Sequence, residues 1–164
     1  MASSPSFSLV FLATAALLLT GHATARNLEE SYDLCQNADF KVLCRNTIQG
    51  TSDPNAAVEM SINNLITKTE NVKKVDVRVS KQPKMSACSS NYDSAINNLK
   101  KALESVKQKD QQALMTALSH VVEDYSTCDD MVADGQLKSP LGSSNQDMIQ
   151  MVSNILAFAT MIKF

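Results

Sequence analysis

Glycine, proline and tryptophan are scarce in this chain, which has four glycines, four prolines and no tryptophan among 164 residues. Glycine and proline build tight turns, so a fold made of many short strands is not expected. Charge of one sign is not in excess either, because the formal net charge is −2. An electrostatic basis for binding nucleic acid is therefore missing. The composition predicts an almost wholly helical protein without a nucleic-acid partner.

Patterns of catalysis are missing as well. After residue 25 the only histidine is His120, and an acid–base role would need an orienting carboxylate that the sequence does not place. The chain contains no Gly-x-Ser-x-Gly elbow and no glycine-rich phosphate loop. The pairs Glu123-Asp124 and Asp129-Asp130 are adjacent in sequence, so their side chains leave a helix on different faces. We predict a binding protein rather than an enzyme, with no cofactor and no metal site.

The first residues have the pattern of an export signal. An apolar run, LVFLATAALLL, covers residues 9–19 and is too short to cross a bilayer as a mature helix. An Ala-Thr-Ala sequence at 23–25 fits the small-x-small rule of a signal-peptidase site. A retained membrane anchor is the alternative, and the length of the run argues against it. We predict that residues 1–25 are a cleaved signal peptide and that residues 26–164 form one secreted domain, with no membrane association after cleavage.

Helical periodicity accounts for nearly all of that domain. Residues 26–50 contain two short amphipathic pieces that predict a helical hairpin, with Gly50 as its stop. Residues 51–164 predict four longer helices, which favours an antiparallel four-helix bundle. The predicted helix starts are Asp53-Pro54, Pro83, Asp110, and a Ser-x-x-Asp capping box formed by Ser144 and Asp147. The predicted apolar positions are Leu28, Tyr32 and Cys35; Phe40, Cys44 and Ile48; Val58, Ile62, Leu65 and Val72; Cys88, Tyr92, Ala95, Leu99, Ala102 and Val106; Leu114, Ala117, Val121, Tyr125, Cys128 and Val132; and Met148, Val152, Ile155, Ala159 and Ile162.

One segment carries a conflicting signal. The sequence VKKVDVRV, residues 72–79, alternates apolar and charged residues, which is typical of a strand. No partner strand is apparent elsewhere in the chain. We therefore interpret the segment as a frayed end of the first bundle helix, which we expect to reach about Val75, or as an extended linker.

The four cysteines, Cys35, Cys44, Cys88 and Cys128, all follow the signal peptide. An even number in an exported chain predicts two disulfides, for which three pairings are possible. A zinc site is the alternative, but the cysteine spacings match no zinc-finger pattern. If the second and third bundle helices are antiparallel and turn near Gln108, then Cys88 and Cys128 lie at equal height, because they are equally far from the turn. This register predicts a Cys88–Cys128 disulfide and leaves Cys35 and Cys44 to each other.

Four motifs occur in order along the domain: CQNADFKVLCRNTI, ACSSNYDSAINNLKKAL, ALSHVVEDYSTCDDMV, and KSPL followed by VSNILAF. With its signal peptide and matching cysteines, the chain resembles the plant invertase and pectin methylesterase inhibitor family. The resemblance implies a secreted inhibitor in the apoplast, the extracellular space of the cell wall, that binds a carbohydrate-active enzyme stoichiometrically. It does not by itself choose between the two targets.

A local departure from the family pattern bears on the target. Some invertase inhibitors carry a Pro-Lys-Phe motif just after the turn between the second and third bundle helices, whereas this chain has Gln111-Gln112-Ala113 there. The similar sequence Pro83-Lys84-Met85 lies at the opposite end of the second helix and is interpreted as a helix start. The resemblance therefore favours pectin methylesterase (pectinesterase), bound over its active-site cleft, as the partner. The alternatives are an inhibitor of cell-wall or vacuolar invertase (β-fructofuranosidase) and a non-inhibitory helical protein that binds a small ligand or acts as a signal.

The hairpin of the second and third bundle helices is the predicted docking surface. Its outward-facing positions, which we expect to contact the partner, are Asn97, Lys101, Thr116, Ser119 and Glu123. Ordinary solvated surface is the alternative role for each of them, because few interface positions carry most of the binding energy.

Overall fold

The computed structural model describes residues 32–79, 83–134 and 142–164, which belong to one compact unit. The predicted signal peptide and Leu28 lie outside these residues. Every regular element of the described part is a helix: α1 (Lys41–Ile48), α2 (Pro54–Val79), α3 (Pro83–Gln108), α4 (Gln111–Asp134) and α5 (Gly142–Ala159). Helices α2 to α5 pack against their neighbours in sequence, and α5 returns to pack against α2 as well. The predicted all-α fold, a four-helix bundle with two disulfides, is confirmed.

The predicted helix starts at two aspartates are confirmed by their caps. The Asp53 carboxylate accepts a hydrogen bond from the Asn55 amide at 3.0 Å, directly before α2. The Asp110 carboxylate accepts one from the Ala113 amide at 2.9 Å, directly before α4. Each bond satisfies an amide that has no partner inside its own helix. These caps define where α2 and α4 begin.

The core consists of the predicted apolar positions. With the exceptions of Leu28, Tyr32, Phe40 and Val132, every one of them is buried; Leu28 and the side chain of Val132 lie outside what the structure describes. Tyr32 is 55% exposed, and Phe40 is half-buried. Polar bonds also cross the bundle interior. The buried Thr69 hydroxyl donates to the Leu65 carbonyl at 2.7 Å and lies 2.6 Å from the Tyr125 hydroxyl, joining α2 to α4.

The first half of the predicted helical hairpin is a turn within the described residues. The Asp33 carboxylate accepts a hydrogen bond from the Cys35 amide at 2.9 Å, and residues 34–37 form turns. A short acidic side chain that binds the backbone two residues later offers the chain an alternative to helix. At Asp33 the chain forms this turn instead of the predicted helix. The second half is helical as predicted: α1 ends at Ile48, and Gly50 has a φ of +83°, a conformation that favours glycine.

Two further boundaries differ from the prediction. Helix α2 continues to Val79, so the strand-like segment is neither frayed nor extended. Packing overrides its β propensity, because Val72 is buried and Lys73 forms an ion pair with Asp93 of α3. Helix α5 begins at Gly142, so Ser144 lies inside it rather than capping it. The Asp147 carboxylate instead accepts a hydrogen bond from Lys68 of α2 at 3.1 Å.

Candidate docking surface

Helices α3 and α4 form an antiparallel hairpin that is fixed at both ends. At the turn, Lys109 adopts a φ of 58° and Asp110 caps α4. At the open end, a disulfide joins Cys88 to Cys128, whose Cα atoms lie 5.0 Å apart. Both cysteines are buried. The predicted pairing and the register that carries it are confirmed.

Small residues between the two ends bring the helices close together. The facing positions in the register are Ala95 with Val121, Leu99 with Ala117, and Ala102 with Leu114, and all six are buried. Interiors are packed without voids larger than a water molecule, so alanine at these levels shortens the distance between helix axes. The hairpin therefore presents its outer side chains on a rigid base.

A polar groove runs between α3 and α4 on their outer side. Its volume is about 450 Å³. The Asn98 amide group, which lines the groove, donates to the Asp124 carboxylate at 3.0 Å and so connects α3 to α4, and the Lys101 ammonium donates to the Asn98 side-chain oxygen at 3.4 Å. The lining residues are Asn98, Lys101, Ser105, Asp110, Gln112, Ala113, Thr116, Ala117 and His120.

All five predicted docking residues are exposed, but they do not form one site. Lys101 and Thr116 line the α3–α4 groove from opposite helices. Asn97 lies on the other side of α3 and lines a groove between α2 and α3. Ser119 and Glu123 are on α4 and line neither of these two grooves. The structure thus brings two of the five together.

The prediction of docking residues from the sequence missed five polar residues of this groove. Asn98 and Ser105 are buried, with 8% and 6% of their surface exposed, whereas Asp110, Gln112 and His120 are exposed. A signal for the first two is present in the sequence, because Asn98, Lys101 and Ser105 follow one another at spacings of three and four and so lie on one stripe of α3. The prediction named only the most outward positions of the two helices, so it did not include Asn98 and Ser105, which lie closer to the core.

Charge is distributed unevenly over the hairpin. Helix α4 contains no lysine or arginine, and it carries five carboxylates, all in its second half, at Glu123, Asp124, Asp129, Asp130 and Asp134. Helix α3 carries Lys100, Lys101 and Lys107 toward the turn. Of these lysines, Lys100 lies on the α2–α3 side and Lys107 pairs with Glu104, so Lys101 is the lysine beside the α3–α4 groove, whereas the carboxylates of α4 are concentrated in its far half.

The start of α4 is tied to the end of α5. The Gln111 side chain donates a hydrogen bond to the Ala159 carbonyl at 3.1 Å. Ala159 is the last residue of α5, where carbonyls have no partner inside the helix. Gln111 occupies the position at which a Pro-Lys-Phe motif would begin, and its side chain is committed to the fold.

The N-terminal hairpin, which we call the clasp (residues 32–50), is fastened to α5. A disulfide joins Cys35 to Cys44 with Cα atoms 5.8 Å apart, as predicted. Asn154 of α5 donates to the Phe40 carbonyl at 3.1 Å and accepts from the Phe40 amide at 3.3 Å. The neighbouring Ser153 hydroxyl donates to the Asp39 carboxylate at 3.0 Å. The Ser-Asn pair in VSNILAF thus has a physical role, which is to hold the clasp.

The clasp also contains an ion pair. The Arg45 guanidinium donates to the Asp33 carboxylate at 2.9 Å. This bond, together with the bond from the Cys35 amide, holds the pKa of Asp33 below its ordinary value. Both side chains are largely exposed, so the pair contributes little to stability.

The described residues contain no cluster of three or more histidine, cysteine, aspartate or glutamate side chains that could hold a metal ion. Among these residues, no helix is both long enough and apolar enough to cross a membrane.

Comparisons with known proteins place these features in a family. Residues 30–158 match the family model described as plant invertase/pectin methylesterase inhibitor. A crystal structure of a mutant form of a pectin methylesterase inhibitor from Arabidopsis superposes with a TM-score of 0.70 at 18% identity, covering 82% of this chain and 97% of the other. At that identity the superposition shows a shared fold. No relative was found among curated protein sequences.

Proposed function

The chain belongs to the plant invertase/pectin methylesterase inhibitor family, and we propose that its target is a pectin methylesterase, bound stoichiometrically over the active-site cleft. As a member of an inhibitor family the chain is an inhibitor rather than an enzyme. The choice of target goes beyond the family, which is named for two kinds of enzyme.

The hydrogen bond between the Gln111 side chain and Ala159 is the observation that supports pectin methylesterase over invertase as the target. An inhibitor that reaches into an invertase active site through a motif at the start of α4 needs that motif free in solution. Here Gln111 stands at its first position and donates to the Ala159 carbonyl. The structure around it therefore supports a docking mode that uses the faces of the helices, and the α3–α4 groove with its rigid base is the surface proposed.

A bulky substitution in the groove tests the docking surface. Thr116 is exposed, and its hydroxyl bonds only the Gln112 carbonyl of its own helix among the described residues. Thr116→Arg should leave the fold intact and weaken inhibition of pectin methylesterase at least tenfold by steric conflict. Thr67→Arg is the matched control, because Thr67 is an exposed α2 residue whose hydroxyl bonds the Asn63 carbonyl in the same way. Equal inhibition constants for the two variants would move the docking surface away from this groove.

Charge reversal gives a kinetic test of the hairpin face around this groove. Lys101→Glu and Glu123→Lys change charges of opposite sign on α3 and α4, both at exposed positions. Charges at the rim of an interface act mainly on the association rate and its salt dependence. We expect stopped-flow association with the enzyme to change in opposite directions for the two variants, with the differences shrinking in high salt. Unchanged rates in both, with native circular dichroism, would contradict the proposal.

We further propose that residues 1–25 direct export and are removed, leaving residues 26–164 as the inhibitor domain in the apoplast. The small-x-small sequence at 23–25 supports this cleavage site. Amino-terminal sequencing of the secreted protein should begin at Arg26. A secreted protein that retains the apolar run at 9–19 would contradict the assignment.

A further inference from the structure

A second groove lies on the other side of α3, between α2 and α3, and its volume is about 550 Å³. Its α3 residues extend from Asp93 to Lys100, which at 1.5 Å per residue corresponds to a length of about 10 Å. The groove opens away from the α3–α4 groove, because Asn97 and Asn98 line different ones. Its lining residues are Glu70, Lys73, Lys74, Asp93, Ile96, Asn97 and Lys100.

This groove has a surplus of positive charge although the chain as a whole is negative. Lys73 is neutralised by its ion pair with Asp93. Lys74 and Lys100 are exposed, and within the part of the chain that the structure describes no carboxylate lies within ion-pair distance of either. Glu70 is the one remaining carboxylate of the lining. Two ammonium groups, one on each helix, are thus available to an anionic ligand.

The other two grooves have no such surplus. The α3–α4 groove pairs one lysine, Lys101, with one carboxylate, Asp110, and its histidine is not counted in the formal charge. A smaller groove at the clasp contains Lys41 and Asp147. Their formal charges balance, so neither attracts an anion. Of these three grooves among the described residues, the α2–α3 groove is the one with a positive formal charge.

The lining also contains groups that suit hydroxyls and C–H surfaces. Glu70 accepts hydrogen bonds, the Asn97 amide both donates and accepts, and the side chain of Ile96, of which 8% is exposed, forms an apolar floor. A phosphodiester polymer offers charge for the lysines but fewer hydroxyl donors per charge for Glu70 and Asn97 than a sugar acid does. A sugar acid offers carboxylates for the lysines, hydroxyl donors for Glu70 and Asn97, and a C–H face for Ile96.

We propose that the α2–α3 groove binds an acidic polysaccharide built of uronate units. An exposed ion pair is worth only about 0–1 kcal/mol, so a useful affinity needs several contacts along one extended chain, which a polymer with a carboxylate on each ring supplies. The source of the polymer rests on the proposed function, because a pectin methylesterase, until it is inhibited, removes methyl esters from pectin and leaves such carboxylates around itself. The groove would hold the inhibitor on the material that its target produces.

The test uses the secreted protein alone, without any enzyme, and polygalacturonate as the probe. Affinity electrophoresis in gels that contain polygalacturonate should retard the protein, and the retardation should fall steeply as salt is raised, because the contacts are ionic. Highly methyl-esterified pectin, whose carboxylates are capped, should retard it at least tenfold less. Equal retardation by the two polymers would overturn the proposal.

Two double variants with the same change in net charge distinguish binding in the groove from general electrostatic attraction. Lys74→Glu combined with Lys100→Glu should lower the affinity for polygalacturonate at least tenfold. Lys41→Glu combined with Lys163→Glu is the control, since both residues are exposed and lie outside the groove, and it should lower the affinity less than twofold. Equal losses in the two double variants, or equally tight binding of polyglutamate, would overturn the proposal. Inhibition is assayed separately, so a failure to inhibit any pectin methylesterase would not change the interpretation of the polygalacturonate-binding result.

Discussion

Asn154 offers the sharpest test of how the clasp is held. Its side chain makes two hydrogen bonds to the Phe40 backbone at 3.1 and 3.3 Å, and 4% of its surface is exposed. A neutral hydrogen bond contributes about 0.5–1.5 kcal/mol, so Asn154→Ala should lower the free energy of unfolding by about 1–3 kcal/mol. For a chain of this size that corresponds to a fall in Tm of roughly 3–10 °C.

The change should be localised, and hydrogen exchange can measure that. Phe40 precedes α1, and its carbonyl also accepts the first α1 bond, from the Cys44 amide at 2.8 Å. Loss of the Asn154 bonds should speed exchange of the α1 amides about 10- to 100-fold through local opening of the clasp, while α3 amides that exchange only through global unfolding should speed up by no more than the measured fall in the free energy of unfolding accounts for. Ser153→Ala is the control, because its bond to Asp39 is exposed and should cost less than about 0.5 kcal/mol. If Asn154→Ala leaves α1 exchange unchanged, or if Ser153→Ala has the same effect, the reasoning about the clasp is wrong.

Two other predictions concern the bundle. Cys88→Ser opens a loop with a sequence separation of 40, which the chain-entropy model values at about 4 kcal/mol; denaturant unfolding should show that loss, and a loss below 1 kcal/mol would contradict the entropic account. Burial raises the pKa of Tyr125 above its ordinary value, against a smaller opposing effect of the Thr69 bond. The folded state then keeps a proton that the unfolded chain releases, so stability should fall as the pH rises above about 10. Tyr125→Phe should remove that part of the alkaline slope, and a slope equal to that of the original chain would refute the assignment.

The sequence was sufficient for those features that depend on periodicity. The apolar stripes of α2 to α5, the caps at Asp53 and Asp110, and the register of α3 against α4 all follow from spacing along one helix or across one hairpin, and the structure confirms them. Elements in which a side-chain contact overrides the sequence pattern were harder to predict. The turn at Asp33 depends on one side-chain bond to the backbone, and the helical end of α2 depends on the burial of Val72 together with the Lys73–Asp93 ion pair.

Contacts between distant segments could not be predicted from one sequence. Asn154 and Phe40 are 114 residues apart, and nothing in the spacing of either indicates the other. The buried Asn145 side chain likewise accepts from Tyr92 of α3 at 2.8 Å and donates to Asp129 of α4 at 2.7 Å. Only the packed bundle brings these groups together. The same limit applies to the predicted docking residues, of which the structure unites two in one groove.

The most direct test of the central claim is a side-by-side titration of one preparation against a plant pectin methylesterase and a cell-wall invertase at mildly acidic pH. The account predicts that pectin demethylation falls to zero at one inhibitor per enzyme while sucrose hydrolysis is unaffected. Loss of invertase activity with demethylation untouched would contradict it, and would show that the Gln111 commitment does not exclude that target.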